Sequence, residues 1–126
     1  MNPVVLPQEP LARFLRNGNH LRPARELAHF TAFLPKMEGG AISVYRVEDL
    51  SAAEVRHIGV THVQGADSLL KGHAVLAAGE FFVHSLDLVP DGVPHPRHAN
   101  VIGWATDARN RVIARDLAEV ASLVRY

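Results

Sequence analysis

Apolar residues recur along this chain with two periods, and the longest run has the helical one. Ile113, Leu117, Val120 and Val124 fall at i, i+4, i+7 and i+11, which predicts a C-terminal amphipathic helix. Thr106 or Asp107 caps it, and Arg109, Arg111 and Arg115 take its polar side. A second helix starts at Ser51, where Ser51 and Glu54 form a capping box. Val55, Ile58 and His62 or Val63 make its apolar stripe, and Gly59 inside it predicts close packing against a neighbour. A third, short helix is predicted from Pro10, with Leu11, Phe14 and Leu15 on one face and Asn17-Gly18 as its stop.

Alternation predicts strands over Ala41–Val47, Glu80–Val89 and His98–Trp104. In the first, Ile42 and Val44 point one way and Ser43 and Tyr45 the other, so Arg46 shares the apolar face. A charge placed there snorkels outward or lines a cavity. In the last, Ala99, Val101 and Gly103 oppose Asn100, Ile102 and Trp104. Leu69-Leu70 reads as a short strand, and Ala74 to Ala78 as a helical turn closed by Gly79. From Asn19 to Pro35 two readings stand: a helix starting at Pro23, or extended chain through Thr31, Phe33 and Leu34. Gly39-Gly40 and Pro90-Asp91-Gly92 are turns, and Pro94–Arg97 is a rigid extended connection. The sum is an irregular arm over residues 1–9 and a single α+β domain over 10–126. Its small, mainly antiparallel sheet carries two or three helices on one face.

Composition changes this picture little. With 126 residues, 48% of them hydrophobic, the chain has the size and apolar content of one domain. Thirteen basic and thirteen acidic side chains cancel, which argues against nucleic-acid binding as a main role. The balance says nothing about local clustering, so a basic patch stays open. The absence of cysteine excludes disulfides, thiolate zinc sites and cysteine nucleophiles, and fits a cytoplasmic protein. No run reaches the ~18 apolar residues of a membrane span, and Met1–Pro10, with three prolines and no Lys or Arg, does not read as a secretory signal.

The densest chemistry lies in Pro94–Trp104, which brings two imidazoles, a guanidinium and the only tryptophan together. His95 and His98 are separated by Pro96, so they make no ready chelate, and His57 and His62 do not share a helical face. No metal site and no cofactor are expected. The chain has no nucleophile elbow, phosphate loop or dinucleotide fingerprint. What remains is Arg46, His95, Arg97, His98, Asn100 and Trp104. Three readings compete for this set. Arg46, His95 and His98 suit acid–base catalysis on a phosphodiester, with the arginine stabilising developing charge. Exposed Trp104, Arg97 and His95 suit a hot spot for a protein partner. The structural alternative has His98 bonding a turn backbone, Arg97 pairing with Asp91 or Asp87, and Trp104 in the core.

The run Pro96-Arg97-His98-Ala99-Asn100-Val101-Ile102-Gly103-Trp104, with Val112–Ala118 after it, resembles a group of small uncharacterised bacterial proteins. The resemblance extends to Asn19-His20, Phe33-Leu34-Pro35, Ile42–Arg46, Leu50-Ser51 and Glu54, and departs at Gly79-Glu80-Phe81, where a Gly-Leu step is usual. It implies one compact bacterial domain and supplies no catalytic residues. The order of an Arg-ending strand, a helix, a short helix closed by Gly79 and a strand is more loosely similar to small ADP-ribosyl-transferring folds, whose glutamate finds no place here. The leading expectation is a binding or accessory module that meets a protein partner through His95–Trp104. The alternative is a His/Arg-dependent enzyme on a phosphate-containing or nucleotide-derived substrate. Convergence of these side chains on one pocket favours the enzyme, and an exposed Trp104 beside an apolar patch favours the module. An open sheet edge and the C-terminal helix also allow pairing with a second copy.

Overall fold

Residues 2–16, 20–21, 27–66 and 69–126 are described by a computed structural model. Six strands form one sheet: β1 (Pro10–Leu15), β2 (Ile42–Arg46), β3 (Gly72–Ala77), β4 (Asp87–Pro90), β5 (His98–Ile102) and β6 (Ser122–Arg125). Their order is β4-β5-β2-β1-β3-β6, and every pairing is antiparallel. Three α-helices join them: α1 (Ala52–His62), α2 (Gly79–Phe82) and α3 (Asp107–Val120). The α+β expectation holds. The described residues contain no helix long and apolar enough to cross a membrane.

Helices cover both faces of the sheet, not one. On the first face Leu11, Leu15, Ile42, Val44, Ala99 and Val101 pack with Ile113 and Leu117 of α3 and with Phe33 and Phe81. On the second, Ala12, Phe14 and Tyr45 pack with Val55 and Ile58 of α1. This two-sided burial corrects the first element. Pro10–Leu15 is a strand and not a helix, because a central strand needs apolar residues on both sides and then loses its alternation. The same reason makes Gly72–Ala77 a strand where a helical turn was expected. The loose likeness to ADP-ribosyl-transferring folds loses its short helix with it.

Other expectations are corrected locally. Glu80–Val89 is not one strand: α2 takes Gly79–Phe82, buries Phe81, and Ser85 at φ 62 turns the chain into β4. Leu69-Leu70 forms no strand; Leu70 is buried among Phe14 and Ile58, and Leu69 is exposed. Thr31 and Phe33 lie in a short 3-10 helix, Phe30–Phe33, rather than in extended chain. α3 starts at the expected Thr106 cap but stops at Val120, because Ala121 is extended and Ser122–Arg125 pairs with β3. Val124 therefore belongs to a strand, and Val120 is exposed. Pro94–Arg97 bends instead of running straight, with the His98 N–H donating to the His95 carbonyl at 2.9 Å and a cis Val93–Pro94 peptide.

The capping box at Ser51 forms as expected, with both reciprocal bonds at 3.1 Å. Gly59 is needed for contact: a Cβ there would lie 2.5 Å from Leu70 Cδ1 and from Phe14 Cε1. Residues 2–9 contain no helix or strand, though Val5 and Glu9 are buried. The Asn17-Gly18 stop and the Pro23 helix start lie outside the described residues.

Candidate functional site

The site begins where two strands part. β1 pairs with β3 along its whole length, from Pro10↔Ala77 to Leu15↔Gly72. With β2 it pairs only at Leu11↔Arg46 and Ala12↔Tyr45. Past Ala12 the backbone ladder is replaced by a side chain. Arg13 Nη1 donates to the Ser43 carbonyl at 2.9 Å, and Nε to the Ala32 carbonyl at 2.8 Å. Alternation puts Arg13 on the face of Leu11 and Leu15, so its charge is held against the core. Burial, and then the neighbouring Arg16, lower its pKa to about 10, which leaves it protonated at neutral pH. Carbonyl dipoles take two of its five N–H groups but do not cancel the charge.

A cleft of about 200 Å³ opens beside this gap, lined by Arg13, Arg16, Ser43, Tyr45, His62 and His98. β5 supplies His98, which pairs with Tyr45 across the strands with rings 5.2 Å apart, edge to face. His98 Nδ1 lies 2.6 Å from Asp91 Oδ1. Asp91 also accepts from Asn100 Nδ2 at 2.9 Å and from the Val93 N–H at 3.3 Å. Burial pushes the Asp91 carboxyl up, but the hydrogen bonds and the charge of His98 outweigh it and hold its pKa below the usual range. The pair fixes the imidazole plane, and among the described residues no hydrogen bond reaches Nε2. Such a ring is oriented to take or give a proton at Nε2.

Two further imidazoles, those of His95 and His20, stay neutral near pH 7. His95 stacks edge to face on His62 with centroids 4.8 Å apart, and its Nδ1 accepts from the Arg97 N–H at 3.1 Å. Burial, then His62 and Arg97, push its pKa down. His20 is held at about 4 by burial and then by Arg13, Arg16 and His29, and its Nδ1 is buried with no partner. The Tyr45 hydroxyl is raised by burial and by Asp91, against the pull of Arg16.

Three of the expected residues fall elsewhere. Arg46 is buried on the first face of the sheet and gives Nε and Nη2 to the Glu9 carboxylate at 2.5 and 2.8 Å. Its Nη1 donates to the Asn2 carbonyl. His98 is on the opposite face, so the structure does not bring Arg46 to it. Trp104 is buried in the core, with Nε1 donating to the Val101 carbonyl at 3.1 Å. Gly103 at φ 99 breaks the alternation and turns the indole inward, which removes it as an exposed anchor. Arg97 Nη1 donates to the Arg46 carbonyl at 3.1 Å, and pairs with neither Asp91 nor Asp87. Asn100 reaches the site only through Asp91. His95 and His98 both pack on Tyr45, with ring centroids 6.3 and 5.2 Å away, but His98 lines the cleft and His95 lines a separate hollow with Glu54, His57 and Arg97.

Sequence reasoning missed Arg13, Arg16, Tyr45 and His62, and named Asp91 for the wrong partner. The signal was one charge inside Leu11–Leu15, a run otherwise apolar. No group of three or more His, Asp or Glu among the described residues has the geometry to hold a metal ion. No protein family, curated protein or solved structure matches the chain.

Proposed function

We propose that the protein binds a small phosphate-bearing ligand in the cleft between β1, β2, β5 and the last turn of α1. One observation carries the reading: two guanidinium groups, with no acidic partner among the described residues, share a cleft with an imidazole already oriented by a carboxylate. Uncancelled charge held by rigid backbone carbonyls attracts an anion more strongly than mobile surface charge does. This is a binding role that keeps the first half of the His95–Trp104 segment and gives up its tryptophan. A protein partner anchored on Trp104 has lost its anchor.

The His98–Asp91 pair favours a second reading on the same cleft, in which His98 Nε2 moves a proton during phosphate-ester chemistry. Titration with adenosine monophosphate tests the binding itself. Saturable binding is expected, with amide shifts at Tyr45 and His98. Arg16→Gln, on an exposed side chain, weakens it about tenfold, the effect of one charge-assisted bond. Absence of saturation at about 10 mM, or an unchanged affinity in Arg16→Gln, overturns the reading.

A further inference from the structure

Arg13 and Arg16 have a second side. A further hollow of about 330 Å³ is lined by Arg13, Arg16, Lys36, Met37, Gly40 and Ser43. It shares Arg13, Arg16 and Ser43 with the cleft that holds His98. The two hollows therefore adjoin along these residues, as the two sides of a groove that Arg13 and Ser43 divide. Among the described residues, neither half has an acidic side chain in its lining. The hollow over Arg46 differs, because Glu9, Glu48 and Asp49 line it and its charge is cancelled. The acid nearest Lys36 in sequence, Glu38, is occupied elsewhere: its Oε1 accepts from the Asp107 N–H at 2.9 Å, at the start of α3.

We infer that the groove takes an organic diphosphate, with one phosphate on the His98 side of Arg13 and the second on the Lys36 side. This rests on the phosphate-binding reading above and extends it to a second subsite. The charges fit this ligand class. Arg13 and Arg16 face both halves, and Lys36 adds a third cation to one half only. A single phosphate leaves Lys36 without an anion; a diphosphate places one charge group on each side of the shared guanidiniums. The Lys36 half, at about 330 Å³, falls within the roughly 300 to 1,000 Å³ of small-molecule pockets, and the His98 half, at about 200 Å³, lies below it. The aromatic wall of Phe14 and Tyr45 lies at the His98 end, so the organic part of the ligand sits there and the terminal phosphate lies toward Lys36.

Calorimetric titration of the full chain with adenosine monophosphate and adenosine diphosphate tests this. The diphosphate is expected to bind about tenfold tighter, the increment of one added charge-assisted contact. Lys36→Gln, on an exposed side chain, is expected to remove that increment and leave monophosphate affinity unchanged. Monophosphate binding with no gain for the diphosphate overturns the second subsite and leaves the first intact. Equal losses for both ligands in Lys36→Gln overturn it as well. If neither nucleotide binds, the phosphate-binding reading itself falls, and the subsite with it.

Discussion

Each end of the β1–β2 pair contains one arginine held against the core, and the two are treated in opposite ways. Where the strands pair, Arg46 meets the Glu9 carboxylate through two bonds and fastens the preceding chain through Asn2. Bonding to Glu9 raises its pKa. Where the strands part, Arg13 has only carbonyl partners among the described residues, and burial lowers its pKa to about 10. Two neighbouring strands thus make one closed ion pair and one open charge. The closed one is structure. The open one is the charge on which the phosphate-binding proposal rests, because no acidic side chain among the described residues pairs with it.

The sharpest way to break the contrast is at the closed end. Glu9→Ala removes the carboxylate and leaves a buried guanidinium without its counter-charge, which destabilises by about 3–5 kcal/mol. Urea denaturation measures it. A loss below about 1 kcal/mol, the range of an exposed ion pair, means that Arg46 is solvated and that the two ends are alike.

Arg13→Met is the matching test at the open end, with a smaller effect expected. It removes two hydrogen bonds and leaves the Ala32 and Ser43 carbonyls without that donor, at about 0.5–1.5 kcal/mol each, partly offset by loss of a desolvated charge. Stability should fall by no more than about 2 kcal/mol, while adenosine monophosphate binding is lost. If Arg13→Met unfolds the chain as deeply as Glu9→Ala, Arg13 is as structural as Arg46, and the contrast collapses.

The sequence carried one end of this contrast better than the other, for a physical reason. Arg46 stood out because β2 alternates cleanly, with one Arg on the side of Ile42 and Val44. The capping box of α1 and the Thr106 cap of α3 were legible because their signals lie within three or four residues. β1 and β3 were not, since strands covered on both faces look like buried helix turns. Arg13 depends on more than its own strand. It matters because β2 leaves β1 after Ala12↔Tyr45, and no local pattern encodes that parting. Asp91 and His98 were both visible, yet their pairing depends on the bend at 94–97 between them. Trp104 was misplaced by a single backbone torsion at Gly103, which reverses the side a strand pattern assigns.

His20 gives the smallest effect and the most direct readout of the open charge. Its folded pKa is about 4, depressed by burial and then by Arg13, Arg16 and His29, against an unfolded value of 6.5. Between those values the unfolded chain binds more protons than the folded one. Stability therefore falls as pH drops from 6.5 toward 4, and this contribution is constant below the folded pKa. His20→Asn, which cannot titrate, should reduce the pH slope of unfolding in that window by up to about one proton. Nuclear magnetic resonance of the His20 ring adds the link to the site. An anion bound at Arg13 and Arg16 screens their repulsion, so the His20 pKa should move up when adenosine monophosphate saturates the protein. A ring whose pKa ignores the ligand places the guanidiniums too far away to act on it, and removes the electrostatic argument for an open charge at this end of the sheet.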